Sequence, residues 1–113
     1  MEGKTEVESV KVHELKTYPQ YFRKTLYGKK NFEIRLNDRD FKVGDVILLR
    51  EWLGTKFSGR EIRGVITYIL DDKFIGLEKG YVAISLGNLQ HKNCGVWKPI
   101  RSNEDEVTMQ TGA

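Results

Sequence analysis

Val46-Ile-Leu-Leu-Arg-Glu-Trp-Leu53, followed by Gly54-Thr-Lys-Phe-Ser-Gly59 and Arg60-Glu-Ile-Arg-Gly-Val-Ile-Thr-Tyr-Ile-Leu70, is the stretch that sets the architecture. Val46 to Leu49 is an unbroken apolar run, as suits a central strand covered on both faces. In the last segment Ile62, Ile66, Tyr68 and Leu70 share one parity, and Arg63, Val65, Thr67 and Ile69 the other, which suits the strand that pairs with it. The six residues between them are bounded by glycines and read as a hairpin connection. Upstream, Val43-Gly-Asp45 and Asn37-Asp-Arg-Asp40 read as turns. Before them, Asn31–Asn37 alternates cleanly, which puts Phe32, Ile34 and Leu36 on a core face and Asn31, Glu33, Arg35 and Asn37 on a polar one.

Further out, Thr17-Tyr-Pro-Gln20 has capping-box spacing with proline in the first turn, and Gly28 is a helix stop. These bound a short helix over Pro19–Tyr27, with Phe22 and Leu26 on one face. Ser9–Lys16 reads as a strand, Asp71–Gly80 as a loop with a short helical turn, and Tyr81–Leu86 as a last strand with Val82, Ile84 and Leu86 inward. Trp97 and Pro99 suit a C-terminal segment that packs back on the barrel. The expected fold class is α+β, mainly β: a small mixed antiparallel β-barrel of about five strands, with one short helix after the first strand. Residues 9–100 form its single domain, and the polar ends, 1–8 and 101–113, are expected to be disordered.

The chain has 113 residues, 39% of them hydrophobic and 31% charged, which suits one core and a solvated surface. No stretch approaches the ~18 apolar residues of a membrane span, and the N-terminus is too polar for a signal peptide. A cytoplasmic protein that touches no membrane is expected. A lone cysteine, Cys94, cannot form an internal disulfide and is read as a free thiol. The net charge of +3 is unevenly spread: residues 11–70 carry 13 Lys and Arg against 7 Asp and Glu. A basic body with weakly acidic ends suits a polyanionic partner. His91 and Cys94 have a spacing compatible with metal, but only His13 remains as a further His or Cys, so no metal is expected. No glycine-rich phosphate loop is present, and no cofactor is expected.

Gly28-Lys-Lys-Asn-Phe-Glu-Ile-Arg35, then Phe41-Lys-Val-Gly-Asp45 and the strand Val46–Leu49, resemble the ASCH domains of the PUA-like superfamily. Their signature is Gly-x-Lys-x-x-Glu-x-Arg followed by a Gly-Asp turn into the barrel. The resemblance runs from His13-Glu-Leu-Lys16 to Tyr81-Val-Ala-Ile-Ser85, and is nearest to a small uncharacterised branch found in bacteria and their phages. It implies a PUA-like barrel with a cleft beside the helix, used by relatives to hold RNA or a modified nucleobase.

The polar strand face is reached from the residues alone as well. It is either a solvated edge protected by its charges or a recognition surface. In the second case Lys16 and Lys30 close a cationic rim around it. Arg35 offers a planar fork to phosphate or a base edge, and Glu33 accepts from an exocyclic amine or steers that arginine. His13, Asn37, Arg39 and Trp52 complete the candidate binding residues. A strand histidine is more often structural than catalytic, and Trp52 either stacks on a base or caps the core. Tyr18, Tyr21 and Tyr27 surround the helix and either line its cleft or anchor packing.

The leading expectation is a monomeric module that binds RNA or a modified nucleoside. A second is a small amidohydrolase acting on an N-acylated cytosine nucleoside, implied by a related ASCH branch that uses a lysine, a threonine and a later glutamate. Its residues here would be Lys30, Glu33 and Glu78, with Glu33 standing where that branch has threonine. A third is a phage or host protein-interaction module.

Overall fold

In a computed structural model the described residues are 9–100; the two ends expected to be disordered lie outside them. The elements, in chain order, are β1 (Val12–Thr17), α1 (Pro19–Leu26), β2 (Phe32–Leu36), β3 (Val46–Trp52), β4 (Phe57–Leu70), β5 (Tyr81–Lys92) and the short β6 (Lys98–Pro99). The five long strands make one curled sheet in the order β1-β3-β4-β5-β2, with β6 beside β5. The fold is the expected mainly-β arrangement with one short helix after the first strand, as a half-barrel whose two free edges belong to β1 and β2.

The β3–β4 hairpin is antiparallel, from Val46 opposite Val65 to Trp52 opposite Phe57, and the Leu53 amide closes its turn on the Lys56 carbonyl at 2.9 Å. β1 runs parallel to β3, Val12 opposite Val46 and Thr17 opposite Glu51. A parallel pair needs a long crossover, and α1 with β2 supplies it. Inside the curl, Leu15, Phe22, Phe41, Ile47, Leu49, Ile62, Ile66, Val82, Ile84 and Leu86 form the core.

α1 is anchored by Phe22, which is only 1% exposed. Pro19 starts it with a preset φ, and Gly28 at φ +78° ends it, so that the Lys29 amide reaches the Lys24 carbonyl at 2.9 Å. The expected capping box at Thr17 does not form. Tyr18 is the N-cap and offers no side-chain bond, while Thr17 ends β1 as a buried residue.

The parity of β2 corrects the sequence reading. Phe32, Ile34 and Leu36 are exposed, and Glu33 is buried at 3% exposure. The cause is the register with β5, where Glu33 sits opposite Ile84 and Arg35 opposite Val82. Directly opposed residues share a face, and Ile84 and Val82 are core, so the acid and the arginine point inward. Along the first strand, Val12 and the preceding Val10 are exposed while His13, Leu15 and Thr17 are buried. In β4 a register shift between Ile66 and Tyr68 turns Tyr68 to solvent. β5 continues past the expected end at Leu86 to Lys92, because a shift between Arg63 and Val65 sets two residues, Asn88 and Leu89, against Gly64 alone. Gly64 permits that bulge, since a Cβ there would lie 2.7 Å from Leu89 Cδ2.

An inward Ile34 would make Ile34→Asp ruinous, whereas the observed outward side chain makes it mild. The variant is expected to fold with an unfolding free energy within about 1 kcal/mol of wild type, measured by urea titration at about 1 µM protein.

Candidate functional site

Two cavities meet at the seam between the free edges of β1 and β2. One, of about 370 Å³, is lined by Lys16, Thr17, Tyr18, Tyr21, Lys30, Phe32, Glu33, Ile34 and Arg35. The other, of about 440 Å³, is lined by Glu14, Leu15, Lys16, Arg35, Arg39, Arg50 and Phe57. Lys16 and Arg35 border both, so the two form one trough. A larger cavity of about 680 Å³, with an apolar floor of Val12, Val46, Leu48 and Val65 and a wall of Trp97, lies on the outer face of the sheet. Arg63 is the only charged side chain in its lining, and none of the sequence-predicted residues is there.

The floor of the first cavity is an ion-pair cluster centred on Glu33. Lys30 Nζ donates to Glu33 Oε2 at 2.5 Å and to the Phe32 carbonyl at 2.7 Å. Arg35 Nε donates to Glu33 Oε1 at 2.9 Å, and its Nη2 donates across the seam to the Lys16 carbonyl at 3.1 Å. Arg39 Nη1 repeats this device one step along, donating to the Glu14 carbonyl at 2.6 Å. Glu14 and Lys16 are two apart on the open edge of β1, so their carbonyls point the same way and would otherwise go unpaired. The arginines latch the half-barrel shut in place of a ladder.

Around the second cavity two of the cations lie on aromatic faces. Lys16 Nζ sits 4.1 Å from the Trp52 ring centre, and the Arg50 guanidinium 3.9 Å from that of Phe57. Trp52 and Phe57 meet edge to face at 4.8 Å. The trough carries five cations, Lys16, Lys30, Arg35, Arg39 and Arg50, against Glu14 and Glu33. That excess is partly offset from outside the lining, where Arg50 Nε pairs with Glu61 Oε2 at 3.2 Å. Held on aromatic rings, the Lys16 and Arg50 head groups have little freedom left to lose.

Of the residues picked from sequence, Lys16, Lys30, Glu33, Arg35 and Arg39 come together, and Trp52 stands behind Lys16. Glu33, expected on an exposed recognition face, is instead the buried hub that holds Lys30 and Arg35. His13 is not in the cleft: it is buried, with Nε2 2.8 Å from Asp45 Oδ2 and its ring edge-on to Phe41 at 4.8 Å. Asn37 is a turn residue whose Oδ1 accepts from the Phe41 amide at 3.4 Å. Glu78 is exposed in the β4–β5 loop and does not line the cavity that holds Lys30 and Glu33. Among the described residues, no group of three His, Cys, Asp or Glu is placed to hold a metal ion. No described helix is long and apolar enough to cross a membrane.

Sequence reasoning missed Thr17 and Arg50, which line the trough, and a buried pair beside it. Glu51, 3% exposed, accepts from Arg60 Nε at 2.8 Å and Nη2 at 2.9 Å, and from Ser58 Oγ at 2.7 Å. The bidentate bond from Arg60, with the Ser58 bond and the Arg60 and Arg23 charges, outweighs burial and holds the Glu51 carboxyl below its ordinary range. The signal was present: Ile47, Leu49 and Glu51 lie on one parity of β3, so an acid continues an inward apolar row.

Residues 12–86, the span that builds β1, α1, the seam and the first half of β5, match the family described as Domain of unknown function (DUF3850). The chain belongs to this family. The uncharacterized 12.9 kDa protein in GpA 3′region of Escherichia phage P2 is 41% identical over 61 residues. That alignment takes in 54% of this chain and 56% of the phage protein, so the chain spans little more than half the length of that relative. The phage source agrees with the bacterial and phage branch to which the sequence motifs pointed.

Proposed function

We propose that this protein is a nucleic-acid-binding module of the PUA-like type, which holds one nucleotide of RNA in the cavity between α1 and β2 and its flanking phosphates in the adjoining groove. The trough itself carries this reading, because a pocket of about 370 Å³ opens onto a groove of like charge through two shared cations. The pocket volume lies in the range that takes a small ligand. Tyr18, Tyr21 and Phe32 are exposed and line it, offering π-faces to a base. Lys16, Arg39 and Arg50 in the groove are placed for phosphates. Phosphate oxygens compete well for Arg35 and Arg39, since a charge-assisted bond replaces one to a neutral carbonyl.

The test is fluorescence anisotropy with a labelled single-stranded RNA of about ten nucleotides across salt. Affinity is expected to fall steeply between about 50 and 200 mM salt, as counterion release requires. Lys16→Ala and Arg39→Ala should each weaken binding about three- to tenfold and lower the salt slope by about one. Binding that ignores salt, or that both variants leave unchanged, would refute the reading.

The hydrolase reading is favoured by one observation, that Thr17 joins Lys30 and Glu33 in the same pocket. Against it, Glu78 is elsewhere, and the Lys30 ammonium already donates to both Glu33 and the Phe32 carbonyl. A panel of N-acylated cytidines followed by mass spectrometry is expected to show no turnover. Robust hydrolysis abolished by Lys30→Ala would put that reading first.

A further inference from the structure

The cavity on the outer face of the sheet shares no lining residue with the trough. Its floor follows from register. Val12, Val46 and Val65 lie opposite one another across β1, β3 and β4, and Leu48, Arg63 and Gln90 make the next row across β3, β4 and β5. Opposed residues share a face, so one row gives an apolar floor and the other adds a single guanidinium. Trp97 is the wall, and the chain's return holds it there: Pro99 pairs with Gln90, and the Ile100 amide donates to the Leu89 carbonyl at 2.9 Å. The bulge serves the cavity too, since its three residues, Gly64, Asn88 and Leu89, all line it, and Asn88 holds a φ of +51°. Bulges commonly re-aim side chains beside binding sites.

Arg63 Nε donates to Gln90 Oε1 at 2.7 Å, and the guanidinium lies 4.2 Å from the Trp97 ring centre. These two contacts fix the plane of the group, yet among the described residues its Nη edge has neither a hydrogen-bond acceptor nor an ion-pair partner. The carboxylates nearest in register, Glu14 opposite Leu48 and Glu61 two residues before Arg63, are both engaged by Arg50, at 3.6 and 3.2 Å. A stacked guanidinium keeps its donors in plane, where two of them match the two oxygens of a carboxylate. Gln90, with its oxygen turned to Arg63, keeps its amide N–H donors beside that edge. We propose that this cavity is a ligand site separate from the trough, which takes a small carboxylate with a flat apolar body. The body lies on Val46, Leu48 and Val65, and the carboxylate on the Nη edge of Arg63. Three features select that occupant. The charged lining is a lone guanidinium, which calls for one anionic group and not for the run of phosphates that the trough's several cations suit. The floor is apolar, so most of the ligand must be as well. The volume of about 680 Å³ is that of a small-molecule site.

Titration of the ¹⁵N-labelled full chain with 2-naphthoate, and with 2-naphthamide as its uncharged counterpart, tests this by NMR. The two tryptophan indole N–H signals tell the cavities apart, since Trp97 lines this one and Trp52 stands behind Lys16 in the trough. Wild type is expected to bind 2-naphthoate saturably, with a dissociation constant below about 1 mM, the Trp97 signal moving and that of Trp52 still. The amide should bind about tenfold more weakly, because it cannot form the charge-assisted pair. Arg63→Gln should weaken 2-naphthoate about tenfold and leave 2-naphthamide within about twofold. That change also removes a stacking partner of Trp97, so Gln90→Glu gives an independent reading. It sets a carboxylate against Arg63 inside the cavity, and should weaken 2-naphthoate to a similar degree while sparing the amide. Equal affinity for the two compounds in wild type, movement of Trp52 in place of Trp97, or full 2-naphthoate affinity in both variants would each overturn the proposal.

Discussion

Asp45→Ala is expected to lower the unfolding free energy by about 3 kcal/mol, because it strips the acceptor from several buried or part-buried donors at roughly 1–3 kcal/mol for each group left unsatisfied. Asp45 is 5% exposed and collects three donors: His13 Nε2 at 2.8 Å, the Lys42 amide at 3.2 Å and the Lys11 amide at 3.3 Å. An ionised carboxylate only accepts, so Nε2 must carry the proton, and truncation orphans all three donors at once. The site is held on both sides by backbone. Gly44 at φ +97° turns the chain, its amide reaches the Ile66 carbonyl at 2.9 Å, and the Ile66 amide returns to the Asp45 carbonyl at 2.8 Å. The Gly-Asp turn thereby ties the starts of β1, β3 and the far half of β4 together. Urea unfolding checks the expectation; a loss under about 1 kcal/mol would mean the cluster is not the anchor of this corner.

The same carboxylate makes stability depend on acid. Burial alone would raise its pKa, but the hydrogen bonds from His13 and the Lys11 and Lys42 amides, with the His13 charge, more than offset that and leave it lowered from its ordinary 3.8. Glu51 is lowered from 4.5 by Arg60 and Ser58. A group depressed in the native state stabilises the fold fully above its unfolded pKa, and that stability is lost as pH falls through the native value. The thermal midpoint should therefore begin to drop below about pH 4.5 and continue falling below 3.8. In Glu51→Gln the first part of that fall should be reduced.

Local signals were legible where one residue decides the outcome. Gly28 ends the helix because its positive φ suits glycine, and Val46–Leu49 became a central strand, although only Ile47 and Leu49 are fully buried while Val46 and Leu48 are half-buried and line the cavity on the outer face. Period was legible in β2, but facing was not. Alternation says that two sets of residues point oppositely, and hydrophobicity then assigns the apolar set to the core. Here the register with β5 prevailed, because Glu33 could bring its own counter-charges: Lys30 three residues before it and Arg35 two after. A buried carboxylate is tolerated only when paired, and nothing in a period reveals pairing. The bulges at Gly64 and between Ile66 and Tyr68 were hidden for a related reason, since a register shift is a property of two strands. His13 looked like a cleft residue because its partner Asp45 lies thirty-two positions away.

Glu33 provides the sharpest contrast between a recognition residue on an open strand and a hub inside the seam. On an open strand its truncation would cost the fold almost nothing. As a hub, 4% exposed at the side chain, it is all that separates the Lys30 ammonium from the Arg35 guanidinium, whose side chains are 18% and 28% exposed. Glu33→Ala is expected to destabilise the protein by about 3 kcal/mol, because two poorly solvated cations lose their counter-ion and Arg35 loses the bond that aims it at the Lys16 carbonyl. Lys30→Ala in that background should restore about 1 kcal/mol or more, since it removes one of the repelling charges. In the wild-type background the same change should destabilise, because it takes a partner from a buried carboxylate. That reversal of sign is the signature of a shared network, and a double-mutant cycle followed by urea unfolding reads it directly. Additive effects within about 0.5 kcal/mol would show that Glu33 does not hold Lys30 in solution, and the trough would then lack the rigid floor on which the proposed base recognition depends.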